Sequence, residues 1–161
     1  LGLAQRRLEA DGYAGLSVAA LARELGVAQN AIYWYFPSKD HLFVAVLRRM
    51  LAGIAARKPR GKAGQRDRIL WFADQLEPIS RLRPTLRERA RESDVTAEFL
   101  EELESLLSRM LSNALRAEGV AEGDLPLAVE SFRASVEGAY VKGMSRRERR
   151  ETLSFLLDRL A

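Results

Sequence analysis

The chain has 161 residues, of which 47% are hydrophobic and none is cysteine. This length suits one domain of ordinary size or a small module joined to a larger one, and the apolar content is enough for a packed core. The absence of cysteine excludes disulfides, thiolate metal sites and a cysteine nucleophile. No run approaches the ~18 apolar residues of a membrane span, and the charged first residues are unlike a signal peptide.

The positive charge is concentrated near the N-terminus. The net charge is +4, from 26 basic and 22 acidic residues. Residues 1–60 hold nine basic and four acidic residues, which leaves 17 basic and 18 acidic residues for the rest. The excess therefore lies wholly in the first 60 residues, as phosphate binding requires, although a small basic domain can also have a merely solvated charged face.

The first predicted helix covers residues 1–10, and Asp11-Gly12 ends it with a glycine stop signal. Because the first residue is not Met and the helix begins abruptly, we expect the natural chain to start earlier. Tyr13 and Leu16 are expected to fill the core at the corner that follows.

Residues 17–36 predict two short helices joined by a tight turn. Ser17 is a good N-cap, because its hydroxyl accepts a hydrogen bond from a free backbone N–H. Gly26 lies where the chain must turn, since glycine enters the left-handed region without a Cβ penalty. The helices are expected to pack through three sets of apolar residues: Leu21, Ala22 and Leu25; Val27; Ile32 and Phe36. This is the pattern of a helix-turn-helix, whose second helix enters the DNA major groove.

Helices continue to the end of the chain. Pro37 stops the second helix of the motif, and Ser38 caps a helix that reaches about Arg57. A basic linker over residues 57–62 is the expected boundary between two modules. A further helix is predicted over residues 65–79, with a bend or end at Pro78, and a short one is predicted after Pro84. Two more are predicted over residues 96–118 and from Pro126 to about residue 142. The last begins at the capping box of Ser145 and Glu148. We therefore predict an all-α fold of about nine helices.

At these positions the sequence resembles the DNA-binding domain of the TetR family of transcriptional regulators. The matching residues are Gly12-Tyr13, Ser17-Val18, Leu21-Ala22, Gly26-Val27, Ile32-Tyr33-Trp34-Tyr35-Phe36, Pro37-Ser38-Lys39 and Leu42. The resemblance covers about the first 50 residues, and later residues match only in helix number and order. It implies a helix-turn-helix domain over residues 1–45, with the motif at 17–36, and a helical regulatory and dimerisation domain over 46–161.

The resemblance also implies partners and a location. Family members bind a palindromic double-stranded DNA operator as homodimers, and a small-molecule effector releases them. We therefore expect a bacterial, cytoplasmic repressor with no cofactor and no metal, whose effector is partly apolar. If the last two helices pair across a two-fold axis, the two heads should meet successive major grooves, roughly 34–36 Å apart.

The candidate DNA-binding residues surround the motif. Gln29 and Asn30 are the best base readers, because an amide pairs bidentately with adenine. By the resemblance, Ser17, Tyr33 and Lys39 contact phosphates, although Tyr33 is equally typical of a core or hinge aromatic. Trp34 and Tyr35 suit backbone or sugar contacts, with packing on the fourth helix as the alternative for Tyr35, and the small alanines permit close approach. The full set is Ser17, Val18, Ala28, Gln29, Asn30, Ala31, Tyr33, Trp34, Tyr35 and Lys39.

Two further sets belong to the C-terminal region. The candidates for lining an effector pocket, for which a packed core is the alternative, are Trp71, Phe72, Gln75, Phe99, Leu103, Leu107, Met110, Phe132, Val136 and Tyr140. The candidates for the dimer interface are Leu127, Glu130, Arg133, Glu137, Leu153, Leu156, Leu157 and Leu160. Arg133 and Glu137 are equally suited to holding a polar group of an effector.

Two other functions compete with this interpretation. The sparse base-reading chemistry suits a helical small-molecule-binding or adaptor protein that lacks sequence-specific DNA binding. An enzyme is disfavoured, because His41 is the only histidine and has no visible partners for catalysis. His41 lies in the first turn of a helix, so we interpret it as a surface or packing residue.

Overall fold

The computed structural model describes residues 1–59 and 64–160, which form nine α-helices and one short 3-10 helix, without strands. The predicted all-α fold is confirmed. The helices are α1 (Gly2–Asp11), α2 (Val18–Leu25), α3 (Gln29–Tyr35), α4 (Lys39–Ala56), α5 (Gln65–Gln75), α6 (Glu77–Arg89), α7 (Asp94–Ala117), α8 (Leu125–Val141) and α9 (Arg146–Leu160), and the 3-10 helix is Gly12–Gly15.

Local signals set the ends of the N-terminal helices. Gly12 follows α1 at φ +63°, and Gly26 follows α2 in the left-handed region at φ +67°. Both positions disfavour residues that carry a Cβ atom. The Ser17 hydroxyl accepts a hydrogen bond from the Ala20 N–H at 3.3 Å, as predicted for the N-cap of α2.

The helices divide into two compact units by packing. Unit 1 comprises Leu1–Ala56 and Leu82–Glu102, and unit 2 comprises Arg57–Arg81 and Leu103–Ala161. These units are defined by packing, and the whole of α4 belongs to unit 1. The division by function into residues 1–45 and 46–161 stays a prediction. The predicted linker falls partly on residues 60–62, which lie outside the described residues.

The core of unit 1 is built on α4. Phe43, Val46 and Leu47 are fully buried, and Leu8 of α1 and Leu16 are buried with almost no exposed surface. Tyr13 packs edge-on against Phe43, with the two ring centres 5.1 Å apart. This packing anchors the helix-turn-helix to the rest of unit 1 through apolar burial.

Two apolar residues near the turn are not buried as predicted. Val27 is 44% exposed, and Leu25 is exposed as well. Leu21, Ala22 and Ile32 supply the buried contacts of the motif instead. The backbone turn itself explains the difference, because the Val27 N–H bonds to the Ala22 carbonyl at 3.0 Å, which closes α2 without burial of the Val27 side chain.

The helices around the prolines also differ from the prediction. The helix predicted over 65–79 ends at Gln75, and Pro78 lies in the first turn of α6, where its missing N–H costs no helical hydrogen bond. The prediction of a separate helix after Pro84 is wrong, because Pro84 lies inside α6. An interior proline costs about 3 kcal/mol, and burial of Leu86 on the continued helix opposes that cost.

Unit 2 has its own apolar core, made by α5, α7, α8 and α9. The buried residues of this cluster are Ile69, Leu70, Ala73, Leu115, Val120, Leu125, Ala128, Val129, Phe132, Leu153 and Leu157. The predicted capping box opens α9: the Ser145 N–H donates to the Glu148 carboxylate at 2.8 Å, and the Glu148 N–H donates to the Ser145 hydroxyl at 3.3 Å. Among the described helices, none is both long and apolar enough to cross a membrane.

Candidate nucleic-acid interface

The turn between α2 and α3 leaves most of α3 in solvent. Of its seven residues, only Ile32 is buried, and it packs towards the core of unit 1. Gln29, Asn30 and Ala31 are exposed, and Trp34 is the most exposed of the aromatic residues at 81%. A short helix that buries one residue and exposes amide and aromatic side chains is built to contact another molecule.

Most of the predicted DNA-binding residues lie on this exposed surface. Ser17 and Ala28 are exposed at the N-terminal ends of α2 and α3, and Tyr33 and Tyr35 are exposed on α3. Exposure of Tyr33 favours the phosphate contact over the core alternative. The Tyr35 ring lies against Trp34, with the ring centres 5.2 Å apart.

Val18 is a correction to the predicted set. Its side chain is buried, because it is the first residue of α2 and faces the core of unit 1. A contact between the Val18 side chain and DNA is therefore excluded.

The side chain of Lys39 is held by a contact with the ring of Tyr13. Its ammonium lies over the Tyr13 ring, 4.1 Å from the ring centre, which is a cation–π contact. Partial burial lowers the pKa of Lys39, and the nearby Arg89 guanidinium adds to this effect. An ammonium fixed at the start of α4 presents a positive charge beside the motif, as the predicted phosphate contact requires.

Asp40, the next residue, is the centre of a polar cluster that the sequence did not reveal. Its carboxylate is buried in unit 1 and accepts two hydrogen bonds from Arg89, with Nε to Oδ1 at 3.0 Å and Nη2 to Oδ2 at 2.9 Å. The Tyr13 hydroxyl donates a third, to Oδ1 at 2.6 Å. The Arg89 hydrogen bonds are the main cause of the lowered Asp40 pKa. Burial and the hydrogen bond to Asp40 raise the Tyr13 pKa to about 12.

His41 is a surface residue, as predicted. It is exposed in the first turn of α4, and its ring nitrogen Nδ1 lies 2.9 Å from the Ser38 hydroxyl, which also caps the helix. Across residues 1–59 and 64–160, no group of three His, Asp or Glu side chains is placed to hold a metal ion.

The predicted effector-contacting residues do not form one set. Phe99 is buried in unit 1, and the Arg48 guanidinium carbon lies 5.1 Å from the centre of its ring. The other candidates belong to unit 2. Phe132 lies in the apolar core of unit 2, and Leu103 is buried. The Tyr140 hydroxyl already donates to the Ala73 carbonyl, and burial raises the Tyr140 pKa to about 12. The partly buried candidates are Trp71, Phe72, Gln75, Leu107, Met110 and Val136.

The predicted dimer interface needs a similar correction. Leu153 and Leu157 are buried in the core of unit 2, so they are not available to a partner chain. Leu127 is 73% exposed, Glu130 is exposed, and Arg133, Glu137, Leu156 and Leu160 are partly buried. Two large apolar residues outside the predicted set are also exposed, Val141 at the end of α8 and Phe155 on α9. Leu153 and Leu157 lie on the face of α9 that points into the core of unit 2. Phe155 lies midway between them in sequence and therefore on a different face of the helix, which is exposed.

The fold and the exposed α3 define a helical protein with an N-terminal helix-turn-helix. Residues 1–46 match the model of the family described as bacterial regulatory proteins, tetR family. The repressor AcnR of Corynebacterium glutamicum is 27% identical over 164 residues, which cover 96% of this chain and 85% of AcnR.

Solved structures agree. A transcriptional regulator of Rhodococcus sp. Rha1 superposes with a TM-score of 0.79 at 18% identity, over 99% of this chain and 92% of that one. BioQ, crystallised with its natural double-stranded DNA operator, superposes with a TM-score of 0.63 at 28% identity, over 99% of this chain and 94% of BioQ. The chain is therefore similar to TetR-family transcriptional regulators, in sequence over residues 1–46 and in fold over nearly its whole length. A DNA-binding transcriptional regulator is the class of protein that these similarities indicate.

Arg89→Ala tests the cluster at Asp40. The change leaves a buried carboxylate without its ion-pair partner, so we expect it to lower the free energy of unfolding by about 3 kcal/mol. The loss should not be larger, because the Tyr13 hydroxyl still donates to Asp40. Arg91→Ala, an exposed arginine two residues along, is the matched control and should change stability little. Urea denaturation followed by circular dichroism measures both.

The pH dependence gives a second test of the same cluster. The Asp40 pKa is lower in the folded chain than its usual 3.8, so the carboxylate stabilises the fold above that value. The difference between wild type and Arg89→Ala should therefore be full at neutral pH and shrink as the pH falls below 3.8 through the pKa of the folded state. A difference that stayed constant over that range would contradict the assigned ion pair.

Proposed function

We propose that this protein is a repressor that binds a palindromic operator as a homodimer and leaves it when a small molecule binds in unit 2. The exposed surface of α3 is the observation that carries the DNA-binding part. AcnR is named a repressor, and BioQ was crystallised on its operator, which support the same role for this chain. Such a protein acts in the cytoplasm, where a bacterial chromosome lies.

The DNA contacts are proposed from exposure and chemistry. Gln29 and Asn30 lie in the first turn of α3, and both side chains are free to enter the major groove. Ser17 and Lys39 lie at the starts of α2 and α4, where hydroxyl and ammonium groups suit phosphate oxygens. Tyr33 adds a phenolic hydroxyl between them in sequence. The amides then supply base choice, and the flanking groups supply position on the duplex.

The homodimer is proposed from the outer surface of unit 2. Leu127 and Val141 on α8 and Phe155 on α9 are large apolar residues in solvent in a single chain. Large exposed apolar residues on two neighbouring helices are typical of a surface that is covered in the assembled protein. A two-fold dimer through these helices would match the symmetry of a palindromic operator.

The effector is proposed to contact the partly buried candidates of unit 2. Trp71, Phe72 and Gln75 lie on α5, and Leu107 and Met110 lie on α7. These side chains belong neither to the buried core cluster nor to open solvent, and they combine apolar surface with one amide. A partly apolar effector suits such a lining. A screen for compounds that lower the affinity of the full chain for its operator tests this step.

Asn30→Ala and Lys39→Ala separate base reading from phosphate binding. We expect Asn30→Ala to weaken operator binding by about 1–3 kcal/mol and to relax the preference for one base. Lys39→Ala should weaken binding to all sequences by a similar factor and lower the slope of affinity against salt by about 1. Fluorescence anisotropy with palindromes from around the gene, at several salt concentrations, measures both.

Matched controls lie in unit 2. Asn113 and Lys142 are exposed there, and their alanine variants should bind DNA as wild type does. If Asn30→Ala left operator selectivity unchanged, Asn30 would not be a base reader. If the wild-type chain preferred no duplex with or without compounds from the screen, the alternative of a helical small-molecule-binding or adaptor protein would replace the repressor.

Phe155→Glu tests the dimer. A charge placed in a buried apolar interface is strongly unfavourable, so the variant should be a monomer at concentrations where the wild type is a dimer. Leu25→Glu, at a similarly exposed apolar position in unit 1, is the control and should remain dimeric. Sedimentation velocity distinguishes the two states, and a dimeric Phe155→Glu protein would remove this residue from the interface.

A further inference from the structure

The α3 segment of the candidate interface contains no charged residue. Residues 25–38, which cover the turn, the whole of α3 and the approach to α4, include no Lys, Arg, Asp or Glu. The nearest cations in sequence are Arg23 in the last turn of α2 and Lys39 at the start of α4. This neutrality restricts which base edges α3 can recognise.

Guanine is the base that such a surface recognises least well. In the major groove guanine presents two neighbouring acceptors, O6 and N7, which are matched by the donors of arginine or lysine. Lys39 is the first cation after α3 in sequence, but its ammonium lies 4.1 Å from the centre of the Tyr13 ring, so it is held at the start of α4 and not on α3. In a helix-turn-helix the first helix crosses the sugar-phosphate backbone, which places Arg23 of α2 with phosphates.

Adenine and thymine match the exposed groups of α3. Gln29 and Asn30 each offer one acceptor and one donor group, and adenine offers the complementary donor N6 and acceptor N7. Val27, Ala28 and Ala31 are exposed apolar side chains on either side of these amides in sequence. Small apolar groups contact the C5 methyl of thymine, which cytosine lacks.

We infer that α3 reads A·T base pairs, with the two amides on adenine and the three apolar side chains on thymine methyl groups, and does not read guanine. This inference rests on the proposed function, because it names the class of base pair that the same surface selects. The positive charge of residues 1–60 then serves affinity for phosphates, and base choice comes from neutral groups only.

Base analogues test this atom by atom in the full chain. A duplex is first selected from a random pool for tight binding to the wild-type protein. In its half-sites, thymine is then replaced by uracil, which removes one methyl group, and adenine by 7-deazaadenine, which removes N7. We expect a loss of about fourfold in affinity for a contacted methyl group and of roughly 5- to 150-fold for a contacted adenine N7. Replacement of guanine by 7-deazaguanine should change affinity less than twofold.

A variant connects the base to the residue. In Asn30→Ala, at least one adenine should lose its sensitivity to the 7-deaza change, whereas Asn113→Ala in unit 2 should keep all of them. The inference is overturned if 7-deazaguanine weakens binding tenfold, or if the uracil and 7-deazaadenine duplexes bind as the parent does. If selection yields no preferred duplex, the proposed function fails first, and that result is distinct from specific binding through guanine.

Discussion

The carboxylate of Asp40 joins three parts of unit 1 that are far apart in sequence. It lies in the first turn of α4, and it receives hydrogen bonds from Tyr13 in the 3-10 helix and from Arg89 at the end of α6. A buried carboxylate is costly unless its hydrogen bonds are satisfied, so the cluster permits only arrangements that keep these partners together. Because Lys39 precedes Asp40 and lies on Tyr13, the same cluster fixes a cation beside the helix-turn-helix.

We propose that different residues supply the attraction to DNA and the choice of sequence. The net positive charge lies within residues 1–60, but α3 and the turn before it are neutral. Charged groups attract any duplex through its phosphates, whereas amide and methyl groups distinguish bases only at contact distance. If each head makes only a small set of base contacts, as we propose, a dimer would double these contacts and fix their spacing.

The sequence predicted features that depend on neighbouring residues. Three predicted features agree with local rules: the Ser17 cap, the positive-φ glycines at 12 and 26, and the capping box of Ser145 and Glu148. The exposed amides of α3 followed from the position of the turn. Family resemblance then added roles to residues that local rules had only placed on helices.

Features that depend on distant residues were missed or wrong. Arg89 is 49 positions from Asp40, and no periodicity in either helix indicates that they meet. Pro84 stays inside α6 because burial elsewhere on the helix outweighs a local breaker. Leu153 and Leu157 had a spacing that suited either a partner chain or the chain's own core, and only the packing of α9 assigned them to the core.

We propose that α3 itself lies against DNA. The chain has two tryptophans, Trp34 on the exposed surface of α3 and Trp71 in unit 2, so each can be observed alone in a variant that changes the other to phenylalanine. The most direct measurement is the emission of the Trp71→Phe protein during titration with a duplex that it binds. We expect Trp34 emission to change in step with complex formation, because bases or sugars replace water around the indole. A complex that forms by anisotropy while Trp34 emission stays constant would contradict it.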